Sequence, residues 1–170
     1  MDYYATFADL VRVSVDGWVE IAQRATRDPR VTPELFQAAA EGADTSAWPA
    51  EVAAVALAGA GAVRTQLGAA SRYADGFIGG RYPGGLTPEQ VAASDLPTVV
   101  ATIALRRMYG AAVTEEVLAA TKWADDFLKA IAAGTASLVP AAVAPAEAEA
   151  EVFYDFSPRA VTDDTLRGFA

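Results

Sequence analysis

The chain contains no cysteine and no histidine. The first absence excludes disulfides and thiolate nucleophiles. The two together remove the common zinc ligand sets, histidine-activated serine or cysteine nucleophiles, and imidazole acid–base chemistry. An enzyme built on this sequence is left with carboxylate, tyrosine or lysine chemistry. Basic residues are also few, 13 Lys and Arg against 22 Asp and Glu, for a formal net charge of −9. A protein that wraps nucleic acid by neutralising phosphates needs the opposite balance. No run of about 18 apolar residues escapes interruption by glycine or charge, so no membrane span is expected. The opening MDYYATFADL lacks a basic region followed by an apolar block, and no signal peptide is expected.

What the chain has in quantity is apolar side chain, 53% of 170 residues, much of it alanine. Alanine buries little area per residue and favours helix, so the composition predicts closely packed helices. The expected fold is all-α: a compact helical domain with a long central helix, followed by an extended C-terminal arm.

Local signals place the helices. Residues 6–24 read as two short pieces, the first with Thr6 as N-cap ahead of Phe7, Leu10 and Val11, the second carrying Trp18 and Ile21, with Gly17 weakening their continuity. Thr32, Pro33 and Glu34 open a short helix that Gly42 stops. After the polar ADTSAWPAE, Pro49-Ala50-Glu51 starts a long alanine-rich helix predicted to reach Ile78. Its Gly59, Gly61 and Gly68 each cost about 1 kcal/mol relative to alanine unless a neighbouring backbone needs the room, so close helix–helix contact is expected there. A further helix is predicted over 96–109, with Val99, Ile103 and Leu105 inward and Arg106 and Arg107 near its C-terminus. The last begins at a Thr114 cap with Glu115 and Glu116, is striped by Val117, Ala120, Ala124, Phe127 and Ile131, and ends at Gly134.

Between the long helix and its successor lies FIGGRYPGGLT. From Gly80 it reads Gly-x-x-x-x-Gly-Leu-Thr, a phosphate-binding pattern with Leu86 in place of the lysine that reaches the phosphates. The pattern also needs a preceding strand, and here a helix precedes it, so no nucleotide site is expected. Gly79 and Gly80 suit left-handed helix termination, Pro83 forbids continuation, and Thr87 with Gln90 has capping-box spacing. The stretch reads as a hinge between helices. Arg81 and Tyr82 at its centre either cap carbonyls and pack internally, the favoured reading, or are presented to a partner.

Other candidates for chemistry are weak. Asp125 and Asp126 are adjacent on a helix, point about 100° apart, and read as a solvated face with Lys122 and Lys129. Asp163 and Asp164 follow Thr162 as an ordinary helix start, with no calcium-loop spacing around them. Of Trp18, Trp48 and Trp123, expected as core or half-buried covers, Trp48 is the one expected to be most exposed. No cofactor or metal is expected.

At residue 140 the composition changes. The predicted organisation is a helical domain over 1–140, an Ala/Pro/Glu linker over 141–151 and an aromatic arm over 152–170. Phe153, Tyr154, Phe156 and Phe169 make the arm too aromatic for a purely solvated terminus; it either folds back on its own domain or, as the linker favours, reaches an adjacent subunit. The candidate interface or hinge residues are Arg81, Tyr82, Trp48, Phe153, Tyr154, Phe156, Arg159 and Phe169.

The stretch AASRYADGFIGGRYPGGL resembles the signature of the Mu-like phage and prophage small head–tail joining (connector) family. In that signature a helix ends in Asp, a small residue, an aromatic, an aliphatic and two small residues before Arg-Tyr-Pro. Here these are Asp75, Gly76, Phe77, Ile78, Gly79, Gly80, Arg81, Tyr82 and Pro83. YATFADLVR is similar to the family's opening, VTEEVLAATKWADDFLKAIAAGTASL to its closing helix, and FSPRAVTDDTLRGF to its tails. Gly84 and Gly85 depart from the apolar residue and proline of the pattern. The resemblance implies a non-enzymatic adaptor in the virion neck, made in the bacterial cytoplasm. It would dock as a ring under the portal protein, dodecameric by analogy with related connectors, and join it to stopper and tail proteins. DNA would pass through without specific binding, which an acidic wall suits. The competing reading is a small acidic helical protein-binding or regulatory module; an enzyme is a distant third.

Overall fold

In the computed structural model residues 3–138 are described. The segment 141–151 and the arm 152–170, with Phe153, Tyr154, Phe156, Arg159 and Phe169, lie outside the described residues, as do Asp163 and Asp164. Among the described residues every regular element is helical, as the composition predicts.

Helix α1 (Phe7–Val13) begins at Thr6, whose hydroxyl accepts from the Asp9 amide while Asp9 reaches back to the Thr6 amide. Gly17 then adopts φ 55°, turning the chain into α2 (Trp18–Thr26). Thr32 caps α3 (Pro33–Glu41) by accepting from the Leu35 amide, and Gly42 closes it in the left-handed conformation. α4 (Ala50–Ile78) is 29 residues long, about 43 Å at the helical rise. A reciprocal Thr87–Gln90 box starts the one-turn α5 (Pro88–Ala92). α6 (Leu96–Tyr109) and α7 (Glu115–Ala132) follow, joined by a 3-10 turn at Gly110–Ala112.

α6 is the axis of the core. Leu96, Val99, Val100, Ala101, Ile103 and Ala104 are fully buried, because α1, α2, α4, α5 and α7 all pack against this helix. A helix apolar on all sides must be enclosed in this way. α4 contributes small residues, Ala53, Ala56, Ala60, Ala70 and Ala74, and α2, α3, α6 and α7 lie against it. By length and composition alone α4 is apolar enough to cross a membrane; in this fold it is the long strut on which the other helices stack.

Its glycines divide by environment. At Gly59 an added Cβ would stand 2.6 Å from Thr26 Cγ2 and 3.2 Å from the Phe36 ring, so α2 and α3 do use the missing side chain. Gly68 makes room for the Tyr3 ring, a neighbour that is not a helix. Gly61 faces open space, so close packing does not explain it. The α7 stripe also needs correction. Ala124, Leu128 and Ile131 are buried, Val117 is half-buried, and Ala120 is exposed. The N-terminal half of α7 is thus covered less completely than its apolar pattern predicts.

Candidate functional site

The Arg81–Tyr82 corner is built differently from the expected left-handed stop. Gly79 is right-handed at φ −59°, Gly80 has no positive φ, and the left-handed glycine of the loop is Gly85 at φ 75°. The chain leaves α4 by tightening: the Arg81 and Tyr82 amides both donate to Ile78 O, at 3.0 and 2.8 Å. That satisfies carbonyls a helix end otherwise leaves without partners. Tyr82 is half-buried, and its hydroxyl accepts from the Leu138 amide at 3.0 Å and lies 3.1 Å from Ser137 Oγ. It therefore ties the end of α4 to the chain beyond α7. Arg81 is exposed, and its guanidinium lies over Gly134, where an added Cβ would sit 3.3 Å from Nη1. Among the described residues the Arg81 guanidinium makes no hydrogen bond or ion pair, so it does not cap the α4 carbonyls. The Gly80 to Thr87 stretch follows a helix and leads into a one-turn helix, not the strand-and-long-helix setting of a phosphate cradle.

Asp125 is the clearest correction. It is not on a solvated face: Arg106 Nη1 reaches its Oδ2 at 2.5 Å, Arg106 Nη2 its Oδ1 at 3.2 Å, and the Tyr73 hydroxyl donates to Oδ1 at 3.1 Å. Those hydrogen bonds from Arg106 hold its carboxyl below the ordinary value against the opposing effect of burial. Asp126, one position on, is exposed between Lys122 and Lys129 as expected.

A second polar cluster joins α2 to α6. Glu20, 7% exposed, accepts from the Tyr109 hydroxyl at 2.5 Å, Arg24 Nε at 3.0 Å and the Val15 amide at 3.0 Å. The Arg24 guanidinium stacks 3.3 Å from the Tyr109 ring centroid. Burial pushes the Glu20 carboxyl up, but these donors outweigh it and leave the group below its ordinary value. The Glu20–Arg24 spacing is legible on a helix; Tyr109, 89 positions from Glu20, is not. Both clusters are saturated by internal partners. Among the described residues no three acidic side chains come together as metal ligands.

Surface exposure differs from the tryptophan expectation. Trp48 is half-buried against the core, Trp18 stacks on Phe7 and tilts against Phe36, and Trp123 is the exposed one at 45%. Trp123 borders an open groove of about 270 Å³ with Val13, Leu105, Val117 and Ala120. On the far side of Val15 and Tyr109 a larger groove, about 710 Å³, is lined by Gln23, Arg24, Arg27, Met108 and Ala112. Val15, 92% exposed, stands between the two.

No curated protein and no solved structure matches the chain. The family model described as "Bacteriophage Mu, Gp36" matches residues 4–154, a span that includes every helix among the described residues, and the chain belongs to that family of phage proteins.

Proposed function

We propose that this protein is a structural head–tail connector: it assembles as a ring beneath the portal and joins it to the stopper and tail, with DNA passing through the ring. The observation that carries the reading is the match of residues 4–154 to a phage Mu family, taken with the Arg-Tyr-Pro corner that resembles the signature of head–tail joining proteins. Three features support it. The polar clusters at Glu20 and Asp125 consist of side chains bonded to one another across helices, an arrangement that fixes shape. The corner of Arg81 and Tyr82 fastens the end of α4 to the exit of α7 and leaves the Arg81 side chain at the surface. The net charge of −9 keeps passing DNA from adhering. In this reading the product is a virion component, not an enzyme.

The test is co-expression with portal, stopper and tail proteins from the same source, followed by sizing and electron microscopy. A ring bound to the portal is the expected result. A chain that stays apart from the portal and instead binds a soluble regulator sinks the connector reading in favour of the acidic binding module.

A further inference from the structure

Tyr3 and Tyr4, ahead of the first helix, lie along α4 at Gly68, Ser71 and Asp75, positions i, i+3 and i+7 of one helix face. The Tyr3 ring fills the space that a side chain at residue 68 would take: an added Cβ would stand 2.7 Å from its Cε1. Ser71, 4% exposed, donates its hydroxyl proton to Leu67 O at 2.9 Å and leaves a lone pair for the Tyr4 amide, which donates to it at 3.0 Å. Asp75 accepts from the Tyr4 hydroxyl. The strip thus offers a slot for an aromatic ring, an acceptor for a backbone amide and a carboxylate for a phenol. These contacts join the two stretches that carry the family resemblance, YATFADLVR and AASRYADGFIGGRYPGGL.

The tyrosine pair is separable from the helices. Thr6 and Asp9 cap α1 through each other's amides, downstream of Tyr4 and without using it. Ala5, 2% exposed, anchors the chain between that cap and the pair, whereas Tyr3 is 42% exposed. A short end segment with few buried contacts opens more readily than the core helices. Arg72 borders the slot, its Nη1 3.5 Å from the added Cβ, and it is exposed with no ion pair among the described residues. A carboxylate next to the pair would complement it, and in the sequence Asp2 precedes Tyr3.

We infer that Gly68, Ser71 and Asp75 form a binding site for an extended peptide segment with an acidic residue followed by two tyrosines, and that the chain's own Tyr3-Tyr4 occupies it as a displaceable plug. Asp75 selects the phenol: phenylalanine leaves the carboxylate without a donor, and an acidic side chain is repelled. The tethered plug competes at high effective concentration, so a partner's segment displaces it by adding contacts beyond the tyrosine pair.

The experiment is an amide NMR titration with the synthetic peptide Met-Asp-Tyr-Tyr-Ala-Thr. It compares the unaltered full chain with a full-length Tyr3→Gly/Tyr4→Gly variant, whose fold is verified by circular dichroism. The variant binds the peptide with shifts centred on Gly68, Ser71 and Asp75, and the unaltered chain binds it at least about tenfold more weakly. Phenylalanine as the peptide's second aromatic, or Asp75→Asn added to the variant, weakens binding about tenfold. Should the double variant fold poorly, Gly68→Ala in the full chain closes the slot, and hydrogen exchange then speeds at the Tyr4 amide and not at Leu10 within α1. Absence of binding to the folded variant, shifts elsewhere, equal binding by the unaltered chain, or Tyr4 and Leu10 amides that speed together overturns the proposal. No portal enters the experiment, so its outcome is independent of the connector reading.

Discussion

Arg106 and Asp125 form a two-pronged ion pair across the α6–α7 contact, at 2.5 and 3.2 Å, with both side chains about one-fifth exposed. The Tyr73 hydroxyl, from α4, donates to the same carboxylate, so one acidic side chain fastens three helices. Replacing Asp125 with alanine leaves a partly buried guanidinium and a phenol without their acceptor, and is expected to cost about 1–3 kcal/mol. Partial exposure keeps the figure below that of a fully buried pair.

The same pair predicts an acid sensitivity. Hydrogen bonding from Arg106 lowers the Asp125 carboxyl below its ordinary value of 3.8. Its contribution is therefore fully present above the unfolded-state value and is lost as pH falls through the lowered folded-state value. Glu20 acts with the same sign. The thermal midpoint should fall below about pH 4, and less steeply for Asp125→Asn than for the unaltered chain. Equal slopes in the two proteins would rule out this role for the pair.

Gly59 and Gly61 share one helix and should respond oppositely to alanine. At Gly59 the new methyl meets Thr26 Cγ2 at 2.6 Å and the Phe36 ring at 3.2 Å, so Gly59→Ala is expected to destabilise by about 1–3 kcal/mol despite its better helix propensity. At Gly61 nothing lies within 4 Å, and Gly61→Ala should stabilise by up to about 1 kcal/mol. Urea denaturation of the two variants decides it; the same sign for both would contradict the packing described.

That contrast shows what was legible in the sequence. Among the described residues five of the seven α-helices are marked at their start by local chemistry, Thr6, Thr32, Thr87 and Thr114 by hydroxyl caps and α4 by Pro49, and local chemistry survives folding because its partners are a few residues away. What the sequence did not disclose is which of several equivalent residues meets a distant neighbour. Gly59 and Gly61 look alike until α2 and α3 are placed beside one of them. Asp125 and Asp126 look alike until Arg106 selects the first. Trp48 sits in a polar stretch yet packs on the core, whereas Trp123, in a strongly patterned helix, stays open because the first half of α7 is only partly covered. The family signature around Arg81 and Tyr82 was readable as a pattern, but the partner of Tyr82, 56 positions away, was not.

The Tyr4 hydroxyl donates to Asp75 Oδ1 at 2.5 Å and the Tyr4 amide to Ser71 Oγ at 3.0 Å, strapping the N-terminal segment along α4. Burial, then the hydrogen bond to Asp75 and its charge, push the phenol up to about 12 from an ordinary 10.0. A raised folded-state value means the contribution is complete below the unfolded-state value and is lost as pH rises from about 10 towards 12. The alkaline decline in stability should be shallower in Tyr4→Phe, which should also lose a late-titrating phenol by ultraviolet absorbance. An unchanged late titration would show that the strap does not hold Tyr4 against Asp75.

Tyr82 offers the most direct test of the corner. Its hydroxyl is the acceptor for the Leu138 amide and a neighbour of Ser137 Oγ, while its ring packs half-buried against the core. Tyr82→Phe keeps the ring and removes the acceptor, so it should cost about 1 kcal/mol and speed hydrogen exchange at the Leu138 amide. Tyr82→Ala removes both and should cost more, about 2–3 kcal/mol, below the range for a fully buried aromatic because the residue is partly exposed. Under the proposed connector function, portal co-assembly should weaken in both variants in the order of these costs. Unaltered Leu138 exchange in Tyr82→Phe would show that the hydroxyl does not hold the exit. A Tyr82→Ala protein with an unchanged thermal midpoint but no portal-bound ring would place the side chain in the contact with a partner instead of in the corner's own packing.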